Sequence, residues 1–129
     1  MRYLIGGQRM VELGSDRSTN DLDYLVNVKG QELFTTDEDG NDHINAAAHP
    51  FYAEIFKAAE TTGITAQLMF DMKCFTLVQH CQNRNFSKVA STEYDMRRLH
   101  IDHEVSVAPI AAKHMTTGEY KECLNTLKF

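Results

Sequence analysis

The chain has 129 residues, enough for one domain with a buried core and too few for two ordinary domains. Hydrophobic residues make up 43%, charged residues 24%, and the formal net charge is -5, a composition typical of a soluble globular protein rather than a disordered or membrane-spanning one. The acidic balance argues against binding nucleic acid by bulk charge. A local basic patch remains available to RNA, made of Arg84, Lys88, Arg97 and Arg98.

No apolar run approaches the length of a transmembrane helix, about eighteen residues, so no membrane association is expected. The N-terminus MRYLIGGQRM lacks the long apolar segment and cleavage site of a signal peptide, which predicts a cytoplasmic protein. Three cysteines, Cys74, Cys81 and Cys123, have no CxxC spacing and are odd in number. They are predicted to be core thiols rather than parts of a disulfide framework or a zinc knuckle.

The N-terminal elements are short. Residues 2–5 predict an apolar strand that ends at Gly6-Gly7, and residues 8–13 (QRMVEL) suit one or two helical turns. Gly14 is the stop expected directly after such a helix.

A second strand and a hairpin are predicted next. The alternating stretch LDYLVNV, residues 22–28, predicts a strand with three side chains on one face: Asp21, Asp23 and Leu25. Residues 31–36 and 43–47 flank DEDGND, in which Asp39-Gly40 is a strong hairpin signal.

The rest of the chain predicts helices. Pro50 opens a helix in HPFYAEIFKAAETT that Gly63 stops, with an apolar stripe of Phe51, Ile55, Ala58 and Ala59. The stretch 66–83 has apolar residues with the spacing of one buried helix face, at 68, 69, 72, 75, 78 and 81. Ser91 is a candidate N-cap for a helix around STEYDMRRL, and Thr116 with Glu119 fits a capping box. No element is assigned to EVSVAPIAAKHM.

Strands followed by helices predict an α+β fold, with a small mixed β-sheet, helices packed on one face and C-terminal helices. We predict a single domain over residues 1–129, with a sheet-forming half at 1–48 and a mainly helical half at 49–129.

Two Gly-small doublets, Gly6-Gly7 and Gly14-Ser15, precede one acidic pair. A metal-dependent phosphoryl-transfer site needs carboxylates for Mg²⁺ and exposed backbone N–H groups at a helix N-terminus for phosphate. Gly6-Gly7 lies between a predicted strand and a predicted helix, whereas Gly14-Ser15 leaves only five residues before the pair. We therefore assign Gly6-Gly7 as the partner of Asp21 and Asp23.

The pattern GGQRMVELGSDRSTNDLDYLV resembles the signature of the DNA polymerase β-like nucleotidyltransferase superfamily, in which a Gly-Gly or Gly-Ser doublet, a short helix and Asp-hydrophobic-Asp follow one another. The finer spacing is similar to the branch of AbiEii-type toxin nucleotidyltransferases and their small antitoxin-like relatives. That branch continues with a lysine-bearing helix and a KD-x-x-D-like helix. Lys73 and the run from Lys88 to Asp95 resemble these two helices in order and spacing.

The resemblance implies a role for each matching residue. Gly6 and Gly7 would cradle phosphate, and Asp21 and Asp23 would be catalytic and hold Mg²⁺ or Mn²⁺. Nucleotide phosphates would also contact Arg17, Thr19 and Lys73. Asp95 would orient Lys73 or its own helix. Lys88, in the same run of residues, is a further candidate site residue.

One expected group is not obvious. The superfamily usually has a third carboxylate on a neighbouring strand that acts as general base, yet the predicted strand HINAAAH contains no acid and Asp42 lies at its edge. A lysine at the rim of an apolar helix, such as Lys73, also suits a surface residue. His80 and Cys81 suit core or rim positions, because helical neighbours point in different directions.

Three classes of function remain open. The first is an enzyme that moves an NMP from an NTP to a hydroxyl of RNA, such as tRNA, or of a protein. The second is a degenerate relative that binds nucleotide, RNA or a toxin or antitoxin partner without turnover. The third is a structural or phage-type accessory protein, and a homo-oligomer is compatible with each.

Overall fold

The computed structural model describes residues 1–16 and 22–128 and divides the chain into two compact units, Met1–Thr65 and Ala66–Phe129. The elements of the first unit are β1 (Arg2–Ile5), α1 (Gly6–Glu12), β2 (Asp23–Val26), β3 (Phe34–Thr36), β4 (Asp42–Asn45), a 3-10 turn (Ala46–Ala48) and α2 (Pro50–Thr62). The second unit contains α3 (Ala66–Gln82), α4 (Phe86–His103), α5 (Pro109–Lys113) and α6 (Thr117–Leu127). The fold is α+β, as the order of elements predicts. Among the described residues, no helix is long and apolar enough to cross a membrane.

The sheet is mixed, with the strand order β1-β2-β4-β3. β1 and β2 are antiparallel, β2 and β4 are parallel, and β3 and β4 form the predicted antiparallel hairpin. The predicted start of the last strand is wrong by one residue, because β4 begins at Asp42, opposite Thr36 of β3. The cause is that the turn closes earlier, where the amide of Asp37 donates to the carbonyl oxygen of Asn41 over 2.9 Å.

One face of the sheet forms the core of the first unit. Ile5 and Leu25 are buried there, and the ring of Tyr3 contacts Phe56 of α2 edge to face, with 5.2 Å between ring centroids. The predicted limits of α2 are confirmed: Pro50 is its first residue and Gly63 follows its end, with a backbone φ of 70°. Local signals were sufficient to predict these limits, because the proline at the start and the glycine after the end each act through the properties of a single residue.

Asn45 closes the connection from β2 to the hairpin. Its side chain is buried, and its Oδ1 accepts from the amide of Val28 over 2.9 Å and from the amide of Ala47 over 3.2 Å. Its Nδ2 donates to the carbonyl oxygens of Val28, over 2.8 Å, and Gln31, over 3.0 Å. One amide side chain therefore makes four hydrogen bonds that hold a loop with no regular structure of its own.

α3 lies at the centre of the second unit and packs against α4, α5 and α6. Its buried residues are consequently not confined to the single predicted face, and they include Phe70, Asp71, Cys74 and Leu77. The prediction that all three cysteines are core thiols is wrong for Cys81, which is exposed. Cys81 lines an open cavity that α3, α4 and α6 leave between them.

Helix limits in the second unit partly follow the sequence signals. The Thr116–Glu119 capping box is present at α6. The prediction of Ser91 as an N-cap is wrong, because α4 begins at Phe86 and the Ser91 hydroxyl donates to the carbonyl oxygen of Lys88 inside the helix, over 3.1 Å. The unassigned segment contains α5, whose first amides, of Ile110 and Ala111, donate to Asp71 Oδ1 over 2.9 and 3.0 Å.

Candidate functional site

The Gly6-Gly7 turn adjoins one member of the acidic pair. β1 runs directly into α1 at Gly6, whose φ is 68°. A Cβ placed on Gly6 would collide with Oδ2 of Asp23 and lie only 3.1 Å from the Asp23 Cβ. Around Gly14, in contrast, a Cβ would meet no heavy atom of the described residues within 4 Å. The carboxylate of Asp23 therefore lies where only a glycine leaves room for it.

A second carboxylate begins the neighbouring strand. Asp23 and Asp42 are register partners in the parallel pair of β2 and β4. Adjacent strands lie about 4.8 Å apart and register partners project to the same face, so the two side chains leave the sheet side by side. The Thr36 hydroxyl donates to Asp42 Oδ1 over 3.0 Å, which restricts the orientation of that carboxylate.

Asp23 and Asp42 could supply some of the oxygen ligands that a hard divalent cation requires. Mg²⁺ is commonly held by one or two carboxylates, with waters and substrate phosphates completing its octahedron. Within residues 1–16 and 22–128, no group of three or more His, Cys, Asp or Glu side chains is arranged to hold a metal. Three predicted site residues, Arg17, Thr19 and Asp21, lie outside the described residues.

Arg9 anchors the helix that follows the glycine turn. Its Nε and Nη2 donate to the carbonyl oxygen of Ile64 over 3.0 and 2.6 Å, and its Nη1 pairs with Glu12 at 2.9 Å. The guanidinium thus ties α1 to the chain beyond the end of α2. Arg9 has no signal in the sequence, because its partner is a backbone carbonyl 55 residues away, which no local pattern reveals.

Lys73 and Asp95 form an ion pair inside the second unit. Lys73 Nζ on α3 lies 2.9 Å from Oδ2 of Asp95 on α4. The Asp95 side chain is fully buried, and that of Lys73 is 16% exposed. The resemblance implies that Asp95 orients Lys73 or its own helix, and Asp95 and Lys73 are in direct contact. That Lys73 reaches nucleotide phosphate stays a prediction, as does a role for Lys88, which is exposed on α4.

Two members of the basic patch are already paired with acids of their own helix. Arg97 Nη1 lies 3.5 Å from Glu93, and Arg98 Nη2 lies 2.9 Å from Asp102. Such exposed pairs contribute little to stability, yet they cancel local charge. The positive charge on this helix available to RNA is correspondingly smaller than the sequence suggests.

The environment of His80 makes the stability of the folded chain depend on pH. Burial lowers the pKa of His80, and the nearby charges of Lys88 and Lys73 lower it further. Between this lowered pKa and the ordinary value of about 6.5, the unfolded chain binds more protons than the folded chain, so stability falls as the pH falls. We expect the Tm to drop as the pH falls through the ordinary pKa of about 6.5, and to drop less in His80→Gln. Equal drops in both proteins would contradict this.

The described part of the first unit thus offers a glycine turn between a strand and a helix, with Asp23 beside the turn and Asp42 on the next strand. Such a group can hold a divalent cation, and of the two glycines predicted to cradle phosphate, Gly6 is partly exposed while Gly7 is buried. The chain matches no protein-family model, no curated protein and no solved structure.

Proposed function

We propose that this chain is a Mg²⁺-dependent nucleotidyltransferase that moves an NMP from an NTP to a hydroxyl of RNA or of a protein. The observation that carries the proposal is the register of β2 and β4, which makes Asp42 the neighbour of Asp23. The resemblance to the nucleotidyltransferase superfamily implies a third carboxylate on a strand next to Asp21 and Asp23. Asp42 is a strand residue in that position, two strands from the Gly6-Gly7 turn.

In this proposal each residue has a separate task. Asp21 and Asp23 would hold the metal, and the Gly6-Gly7 turn would let the triphosphate approach the backbone. Asp42 accepts the proton of the acceptor hydroxyl, whose oxygen attacks the α-phosphorus in line while pyrophosphate leaves with the bonding electrons of the broken P–O bond. Bound Mg²⁺ would neutralise the charge of the triphosphate.

The test separates nucleotide binding from chemistry. Each of the four NTPs is titrated with Mg²⁺, and with Mn²⁺ in its place, into the wild type, Asp23→Asn and Asp42→Asn by calorimetry. We expect metal-dependent binding by the wild type, its loss in Asp23→Asn and its retention in Asp42→Asn. Asp39→Asn is the matched control, since Asp39 is an exposed acid of the same hairpin.

Transfer is then measured with labelled NTP and an acceptor mixture of tRNA and protein. Asp42→Asn is expected to lower the rate at least about 100-fold, because general bases contribute about 10²- to 10⁴-fold, while Asp39→Asn leaves it unchanged. If the wild type binds no NTP with either metal, the proposed enzyme activity is overturned. That result would favour a partner-binding protein without turnover. Equal transfer rates for Asp42→Asn and wild type would remove Asp42 from the chemistry.

A further inference from the structure

Two thiols meet inside the second unit. Sγ of Cys74 on α3 and Sγ of Cys123 on α6 lie 3.5 Å apart, although the residues are 49 positions apart in the chain. Both side chains are buried, with exposures of 0% for Cys74 and 5% for Cys123. A disulfide needs a sulfur separation of about 2.05 Å, so closing one requires an approach of only about 1.5 Å.

A cavity gives one of the two thiols a path to solvent. It has a volume of about 230 Å³ between α3, α4 and α6, and its lining includes Leu77, Cys81, Glu93 and Cys123. One water occupies about 30 Å³ in the liquid, so hydrogen peroxide or a small alkyl hydroperoxide fits without opening the helices. Cys74 is not among the residues that line it. The cavity therefore gives access to Cys123 first.

The hydrogen bond between the sulfurs makes the two thiols unequal. It lowers the pKa of Cys123, against the opposing effects of burial and of Glu93, and it raises the pKa of Cys74, as does burial. The thiolate is the nucleophilic form of cysteine. Cys123, the thiol that lines the cavity, is thus also the one more readily ionised.

We propose that Cys123 and Cys74 are a peroxide-oxidisable dithiol that closes into a disulfide between α3 and α6. The thiolate of Cys123 attacks one oxygen of the hydroperoxide, the O–O bond breaks, and water or an alcohol leaves after protonation. Cys74 then attacks the sulfur of the resulting Cys123 sulfenic acid, the S–O bond breaks, and water leaves with the proton of Cys74. Two thiols lose two electrons, and the peroxide gains them.

This site lies wholly within the second unit and does not depend on the proposed nucleotidyltransferase activity. The closed disulfide would tie together positions 49 residues apart, which restricts the unfolded chain. A loop of this length predicts a rise in Tm of roughly 5–15 °C for a chain of this size.

The test treats the full chain with one equivalent of hydrogen peroxide, followed by thiol counting in denaturant, intact mass and peptide mapping. The expected product has lost two of three thiols, carries a Cys74–Cys123 cross-link and reverts with dithiothreitol. Cys81→Ser should form the same cross-link and lose both of its two thiols, because Cys81 is exposed and outside the thiol pair. Oxidation confined to Cys81, or a cross-link between two chains, would overturn the proposal.

The variant Cys74→Ala tests the order of events independently of the disulfide. Peroxide should leave its Cys123 as a sulfenic acid that dimedone traps, whereas wild type is trapped at least about tenfold less because Cys74 resolves it. Circular dichroism verifies that the variant is folded. Equal dimedone labelling of wild type and Cys74→Ala would show that Cys74 is not the resolving thiol.

Discussion

Replacing Lys73 by methionine is expected to lower the free energy of unfolding by about 3–5 kcal/mol. The substitution removes the cation that lies 2.9 Å from Asp95, while that carboxylate stays fully buried between α3 and α4. Methionine keeps the length and flexibility of the lysine stem, so the loss reports the ion pair rather than a cavity. Urea unfolding followed by circular dichroism measures the change.

Two controls identify the cause. Lys73→Met combined with Asp95→Leu should recover most of the loss, because no buried charge then remains. Arg98→Met, which breaks the more exposed pair with Asp102, should cost less than about 1 kcal/mol. A loss for Lys73→Met as small as that for Arg98→Met would contradict a structural role for the pair. NTP binding by the double variant then tests the proposed phosphate contact of Lys73 without the instability.

Gly6→Ala is expected to lower the free energy of unfolding by about 2–4 kcal/mol. Part of this cost is backbone strain, since Gly6 has a φ of 68°. The rest arises because the new methyl group would occupy the position of the Asp23 carboxylate. The displaced carboxylate should also abolish any metal-dependent NTP binding, which calorimetry measures beside the urea unfolding.

Gly63→Ala is the control, because Gly63 also has a positive φ, 70°, while a Cβ there would meet no heavy atom of the described residues within 4 Å. It should cost only backbone strain, about 1–3 kcal/mol, because φ 70° with ψ −172° is open to almost no residue but glycine, and it should leave NTP binding intact. If Gly6→Ala costs less than Gly63→Ala and also keeps NTP binding, crowding by Asp23 is not the reason for glycine at position 6.

Elements with signals in adjacent residues could be predicted closely. Pro50 and Gly63 bound α2 because proline suits the first helical turn and glycine suits the residue after the last. Asp39-Gly40 marks the hairpin because its turn requires backbone angles that few residues adopt readily. The capping box of α6 is likewise complete within four residues.

Elements defined by distant partners could not be predicted. The N-terminus of α5 is capped by Asp71, from another helix, and the parallel pairing of β2 with β4 joins residues 19 positions apart. In the sequence, Asp42 lies among acids and near a turn glycine, a composition typical of a solvated turn, and it is placed only at the edge of the predicted strand. Only its pairing with Thr36 and Asp23 makes it a strand residue.

The candidate site divides in the same way. The proximity of Gly6 and Asp23 agrees with the order of strand, glycine, helix and strand in the sequence. The glycine turn follows the end of β1, and Asp23 begins β2 beside that turn. The position of Asp42 and the anchor of Arg9 on Ile64 depend on the assembled sheet and helices. Neither has a local sequence signal.

The four hydrogen bonds of Asn45 have a consequence for local opening of the chain. Asn45 ends β4, and Asp42 begins it, so the amide that holds the β2–β3 connection and the carboxylate beside Asp23 belong to one short strand. A one-residue slip of that strand would carry every side chain to the opposite face. Because the Asn45 side chain joins this loop to β4, the amide hydrogens of both should exchange with solvent in a single cooperative opening. That opening would also move the Asp42 carboxylate away from Asp23.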